Sequence, residues 1–307
     1  MLKIFPQFEE DLLIRLFHKG VKAQWTVDDV EWEQPLMMGD EQARALAHML
    51  TPVYLGEQSA MIGASVVLPQ MAMVGETTSQ IYLSSFLMDE ARHFEVLTQL
   101  YKRLEEDPLT LRQMPAMLRY HNRLRKGDRI DWVWGILISD VFAKNFYQIF
   151  SRSQPEALFG NLSGRILLDE SRHQAFAQHY LERAVPTLDA DRVRALVKMK
   201  DDLLDTMDNM YEHLVEDAKH LNIDGRVFLD DLRAEIEHKA KRIGLTDGNH
   251  GDGDNTLKKV FQGVGDGVKN ATQDLSSKFQ GLKASRCDTC FVALLCRTRL
   301  VTTARCS

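Results

Sequence analysis

Residues 86–97 read FLMDEARHFEVL, and residues 166–177 read ILLDESRHQAFA. Both spell Asp-Glu-x-Arg-His inside a run of apolar residues: Asp89-Glu90-Ala91-Arg92-His93, then Asp169-Glu170-Ser171-Arg172-His173. Hiding an acid, a guanidinium and an imidazole is costly unless each finds a partner, so a pattern that does it twice needs something to offset the cost. On a helix, residues three apart share a face one turn apart. Glu90 with His93, and Glu170 with His173, therefore each direct two ligand groups at one point, and each pair is half of a metal site. Spacing alone is weak, because Asp217/His220, Glu235/His238 and Asp247/His250 share it. Context separates them: Glu235/His238 lies in the charged stretch RAEIEHKAKR and Asp247 in a Gly-rich one, whereas Glu90 and Glu170 sit among apolar residues.

Working outward, helical periodicity recurs from residue 5 to about 243 and strand patterns are nearly absent, so the fold class is all-α. A first helix ends at Gly20. A long one runs from about Asp40 to Val67, with Pro52 kinking it or starting a new helix behind Thr51, and Pro69 closes it. Further helices span about Glu76–Leu104, Asp131–Phe150 and Pro155–Ala184, followed by two amphipathic ones near 189–219 and 227–243. Four long helices with inward polar groups describe a four-helix bundle with a site in its core and extra helices around it.

That body is the first domain, residues 1–243. From residue 244 to 307 the chain changes character: GLTDGNHGDGDN is a Gly/Asp-rich linker that cannot offset its ordering entropy by apolar burial. All four cysteines, Cys287, Cys290, Cys296 and Cys306, lie in this tail, and the expectation is a disordered segment with free thiols rather than a zinc site. Membrane contact by the tail is not expected. A body without cysteine fits a reducing compartment, and the amino terminus has no signal-peptide pattern, so a cytoplasmic location is expected. A net charge of −6 and a pI near 5.9 argue against a nucleic-acid partner.

A dinuclear carboxylate site takes one carboxylate from each of the other two long helices. Glu57 is the natural choice for the first, since Leu46, Leu50, Val53, Met61 and Ala64 share its side of the helix. For the second the choice is Asp140, beside Val133, Ile136, Leu137, Ala143 and Tyr147, with Asp131 as the alternative; pairing with Lys144 at the helix margin is the competing structural role. Ligating imidazoles usually give their free N–H to a carboxylate, so Asp89 and Asp169 are expected to orient the opposite helix's histidine, with Arg92 and Arg172 neutralising them. Phe142, Phe146, Met88 and Tyr147 are candidates to line an apolar pocket, although such stripes are more often plain core.

Glu57, then Glu90-Ala91-Arg92-His93, a third-helix carboxylate and Glu170-Ser171-Arg172-His173 together resemble the ferritin-like diiron carboxylate oxygenases and oxidases. GEQSA followed by IYLSSFLMDEARHFEVL is especially similar to the ligand-binding oxidases related to ribonucleotide reductase small subunits. The resemblance covers roughly residues 12 to 243. It has departures. Leu97 stands where reductase small subunits carry a radical tyrosine, which argues against a radical-generating subunit. Ala60 stands where the ligand-binding oxidases carry a valine cross-linked to a tyrosine, and no tyrosine precedes Asp140 in its helix, so that cross-link is not expected. In the reductase-like branch the third-helix glutamate is often followed by Gly, which would put Trp134 at the ligand place and leave a mononuclear site or none. Coenzyme A thioester epoxidases of the same superfamily instead use an aspartate, as Asp140 does 30 positions before Glu170.

The resemblance implies two iron ions, or a manganese/iron pair, with O2 as cosubstrate and oxidation of a C–H or amine group of a small molecule. A ferredoxin or reductase is the implied electron donor, and a homodimer is a candidate assembly. The alternatives are a ferroxidase or iron-binding protein without organic substrate, and a metal-free interaction scaffold.

Overall fold

The computed structural model describes residues 11–245, and the expectations for the linker, the cysteines and the rest of the tail concern residues outside them, apart from the linker's first two positions. Among the described residues the chain is helical throughout: α1 (Asp11–Lys22), α2 (Asp40–Met73), α3 (Thr77–Leu104), α4 (Pro115–Leu124), α5 (Arg129–Ser153), α6 (Leu158–Ala184), α7 (Ala190–Glu212), α8 (Val215–His220) and α9 (Gly225–Arg242).

The centre is a bundle of α2, α3, α5 and α6. The sequential pairs α2/α3 and α5/α6 make its most extensive contacts, α2 also meets α5, and α3 meets α6. Short turns at Val74–Glu76 and Gln154–Ala157 force each pair antiparallel. Around this core, α1 packs on α3 and α6, α4 packs on α7, and α9 packs on α5.

Several helix boundaries differ from the sequence expectation: α1 runs past Gly20 to Lys22, α6 starts at Leu158 rather than Pro155, and the helix expected near 189–219 divides into α7 and α8. Both Pro52 and Pro69 lie inside α2, which continues to Met73. A proline removes one backbone donor and crowds the preceding turn. The carbonyl that loses its helical donor to Pro52 is that of His48; one residue earlier, the hydroxyls of Thr51 and Tyr101 both donate to Ala47 O, at 3.1 and 2.9 Å, and tie the same turn to α3. Helix α4 lies in a stretch for which the sequence reading assigned no element.

Helix α5 starts on a reciprocal cap. The Asp128 carboxylate accepts from the backbone N–H of Ile130 and Asp131, and the Asp131 carboxylate accepts from Asp128 N at 3.0 Å. Where α2 crosses α5, Gly63 lets the backbone approach Trp132 so closely that a Cβ at this position would enter the indole ring. That approach brings the inward faces of α2 and α5 together.

Candidate metal centre

Six side chains from four helices meet in the core: Glu57 from α2, Glu90 and His93 from α3, Asp140 from α5, and Glu170 and His173 from α6. All are buried, the two histidines completely. Glu57, Glu90, His93 and Glu170 each place a ligand-type atom within 4.8 Å of the others, and Asp140, Glu170 and His173 do the same. Glu170 belongs to both groups. Glu90 also reaches across, with Oε1 at 3.1 Å from His173 Nδ1.

Each imidazole is held by its outer nitrogen. His93 Nε2 lies 3.1 Å from Asp169 Oδ2 and His173 Nε2 lies 3.4 Å from Asp89 Oδ2, each bond reaching from one Asp-Glu-x-Arg-His helix to the other. With Nε2–H committed to a carboxylate, Nδ1 faces the cluster. Arg92 donates to both aspartates, at 2.6 Å to Asp89 and 2.8 Å to Asp169, and Arg172 also bonds both. Two buried cations thus face two buried anions. The aspartates ionise far below the usual carboxylate range: burial opposes this, but hydrogen bonds from the histidines and their charges outweigh it.

The linker after α1 closes this network. Trp25 Nε1–H donates to Asp169 Oδ2 at 3.0 Å, and the Arg92 guanidinium lies 4.8 Å over the Trp25 ring. Gln24 donates to Asp89 Oδ1 at 3.1 Å and accepts from Arg92 at 2.7 Å. No local pattern in the sequence marks Gln24 or Trp25, because their role depends on where the linker meets α3 and α6.

The carboxylates at the centre behave in the opposite way. Burial and the neighbouring acids push Glu90, Asp140 and Glu170 well above their ordinary range. Glu57 also meets the cost of burial, but the charge of His93, whose Nδ1 lies 3.5 Å from Glu57 Oε2, outweighs it and holds it lower. Burial disfavours the charged form of His93, yet Glu57 and Asp169 together raise it to about 10. Protons thus occupy the cluster when nothing else compensates the charge.

Eight buried side-chain polar atoms lack a hydrogen-bond partner among the described residues, and four belong to this cluster: His93 Nδ1, Asp140 Oδ2, Glu170 Oε2 and His173 Nδ1. Buried polar atoms without a hydrogen bond are rare and call for an explanation, and these four, spread over the two adjoining ligand groups, form a set of oxygen and imidazole nitrogen suited to iron or manganese. The residues present fit a two-ion centre.

The alternatives raised by the sequence fall elsewhere. Asp131 is engaged in the α5 cap and in bonds from Arg192 at 2.6 and 2.8 Å. Trp134 is fully buried on the face toward α7, donating to Leu196 O at 3.1 Å. Lys144 pairs with Glu235 at 2.6 Å, not with Asp140. Of the four candidates for an apolar pocket, Phe142 alone lines the cavity beside the cluster. Phe146 packs on Tyr147, Phe150 and Phe159, and Met88 is 58% exposed because it lies on the outer face of α3. Tyr147 is an intermediate case: its hydroxyl lies 3.3 Å from Glu57 Oε1 and is the donor to it, bracing that carboxylate.

No family model matches the chain, and no curated protein matches it. Solved structures do. An R2-like ligand-binding oxidase with an aerobically reconstituted Mn/Fe cofactor superposes with a TM-score of 0.62 at 18% identity, over 79% of this chain and 96% of that one. The fold is that of the R2-like ligand-binding oxidases. A variant of such an oxidase with an anaerobically reconstituted Mn/Fe cofactor gives a TM-score of 0.64 at 17% identity, over 78% of this chain and 96% of the other. Another variant, reconstituted aerobically, gives 0.64 at 17% identity over 79% of this chain and the whole of its own length. At this identity the likeness is one of fold, and the chemistry of this chain rests on its own six side chains.

Proposed function

We propose that the chain is a dinuclear metal oxidase that uses O2 to oxidise a small organic molecule. The observation that carries this reading is four buried atoms without a hydrogen bond, distributed over two adjoining ligand groups that together hold four carboxylates and two imidazoles. Glu57, Glu90 and His93 would hold one ion, Asp140, Glu170 and His173 the other, with Glu90 and Glu170 reaching both. Two iron ions, or one manganese and one iron, supply the redox chemistry with dioxygen when bound.

The chain's own residues do the rest. Asp169 and Asp89 hold the Nε2 protons of His93 and His173, which fixes each ring with Nδ1 inward and makes it a better donor. Arg92 and Arg172 keep both aspartates ionised for that task. Tyr147 braces Glu57, and apolar side chains of α2, α5 and α7 exclude water from the cavity side. A ferredoxin or reductase in the same compartment, the cytoplasm, is the electron donor in this reading.

The test is anaerobic loading with ferrous iron, metal analysis, and then oxygen exposure followed by optical and Mössbauer spectroscopy. The wild type should bind two irons per chain, and Asp140→Ala one. An unchanged variant would remove Asp140 from the ligand set. Oxygen uptake that ends with iron oxidation and ignores every organic compound added would replace the oxidase reading by that of a ferroxidase.

A further inference from the structure

A cavity of about 60 Å3 lies beside the cluster, with Glu57, Glu90, Asp140 and Glu170 along one side. Val53, Ala60, Ile136, Met117, Met207 and Met210 supply much of the remaining wall. The other polar side chains on the lining are Tyr120, His121 and Ser139, and no lysine or arginine lines it.

The protons of these three groups can be traced. Ser139 Oγ donates to Gly135 O at 2.9 Å, so the Tyr120 hydroxyl, 2.8 Å away, must be the donor in its bond to Ser139. Both hydroxyl protons are used within the wall. His121 Nδ1 lies 2.6 Å from Ser59 Oγ, a bond in which either group can donate; the Ser59 hydroxyl makes no other hydrogen bond among the described residues, and in the tautomer where it donates, Nδ1 accepts. Burial beside Arg125 keeps the imidazole neutral. A neutral ring that accepts at Nδ1 carries its proton on Nε2. In that tautomer the Nε2–H is the one side-chain donor on the lining that is not already spent.

We propose that this cavity selects an uncharged, mostly apolar substrate with a single hydrogen-bond acceptor, and that His121 on α4 is the specificity-determining residue that orients it. The inference rests on the oxidase reading and names its substrate class. An anionic substrate would find no cationic side chain on the lining, and its only countercharge would be ions already compensated by four carboxylates. A cationic substrate would find no unspent acceptor there beyond the metal-binding acids. The cavity is smaller than the roughly 150 Å3 that accommodates benzene. It therefore takes a molecule of a few heavy atoms, with Met117, Met207 and Met210 as flexible wall that repacks around a longer one.

The test compares three probes of matched length: butyramide, butylamine and butyrate. The full chain loaded anaerobically with ferrous iron is titrated with each, and paramagnetic broadening of the probe's proton resonances reports binding beside the ions. Metal content is measured on the same samples, and saturation-transfer NMR repeats the comparison on the metal-free chain. Butyramide should bind at least about tenfold more tightly than the other two, the order expected of losing one net hydrogen bond and gaining an unpaired charge. His121→Phe should remove that preference at unchanged iron content, and His121→Gln, which keeps a donor, should retain part of it. Tightest binding of butyrate, or a His121→Phe chain with unaltered selectivity, would overturn the proposal. Absence of iron binding with amide selectivity intact in the metal-free chain would instead overturn the oxidase reading.

Discussion

At Asp140 two demands conflict. Its Oδ2 is buried without a partner, and Glu57 and Glu170 stand close enough to perturb it. Without metal, the four acids of this dry cluster avoid mutual repulsion because Glu90, Asp140 and Glu170 hold protons against their ordinary acidity, a cost that a metal-binding chain accepts and a purely structural one would not. Asp140→Asn keeps the shape and removes one acid. It should stabilise the metal-free protein by about 1–2 kcal/mol in urea denaturation at pH 7, a gain typical of relieving functional strain. A less stable variant would mean that Asp140 is a structural group. His121 gives the opposite kind of test, because burial beside Arg125 depresses it to about 4 from an ordinary value of 6.5. Between those values the unfolded chain binds a proton that the folded chain does not, so stability is full above pH 6.5 and is lost as the pH falls toward 4. The loss amounts to at most about 3 kcal/mol at 1.36 kcal/mol per pH unit. His121→Leu should flatten that part of the stability profile in metal-free protein, and identical wild-type and variant slopes from pH 7 to 4 would refute the assignment.

Between elements, the arginine–aspartate cluster is the clamp that joins α3 to α6. Arg92 and Arg172 are nearly buried and each bridges Asp89 and Asp169. Removing one partner leaves a buried charge uncompensated, which costs about 3–5 kcal/mol. Arg92→Leu should lower stability by that amount and, since Asp169 holds His93, also weaken metal retention in equilibrium dialysis. An Arg92→Leu chain that melts and binds metal as the wild type does would reduce the clamp to surface-type ion pairing. This clamp also marks how far the sequence can be read. The two Asp-Glu-x-Arg-His repeats were legible because each carries its ligands, orienting acid and counter-cation within one helical turn and a half, where local periodicity fixes the geometry. Glu57 and Asp140 were legible only as inward positions on apolar stripes. Trp25 and Gln24 were not legible, since a linker places them through long-range packing. Pro69 read as a helix end, but the prevailing packing of α2 against α3 carries the helix through it to Met73. Helix α4, ten residues with Met117, Tyr120 and Leu124 buried, forms a wall of the cavity, yet it is too short for its periodicity to stand out.

Across the whole molecule, the cluster ties together α2, α3, α5 and α6, the helices on which every other described element packs directly or through a neighbour. An ion pair bound there favours the folded chain alone, because the six ligands lie between residues 57 and 173 and come together only when the bundle is closed. At a free metal concentration one hundred times the dissociation constant, the stabilisation is about 2.7 kcal/mol for each ion bound. For a chain of this size each kcal/mol moves the melting temperature by about 2–4 °C, so ferrous or manganous ion should raise it by roughly 5–11 °C for each ion bound under anaerobic conditions. Chelation should reverse the shift. Trp134→Phe, which alters a buried side chain facing α7, should lower the baseline but keep the metal-induced rise, whereas His93→Ala together with His173→Ala should abolish the rise. A melting temperature indifferent to both metals in the wild type would show that the six side chains do not bind ions with the folded bundle, and the convergence of their orphaned atoms would then need a different explanation.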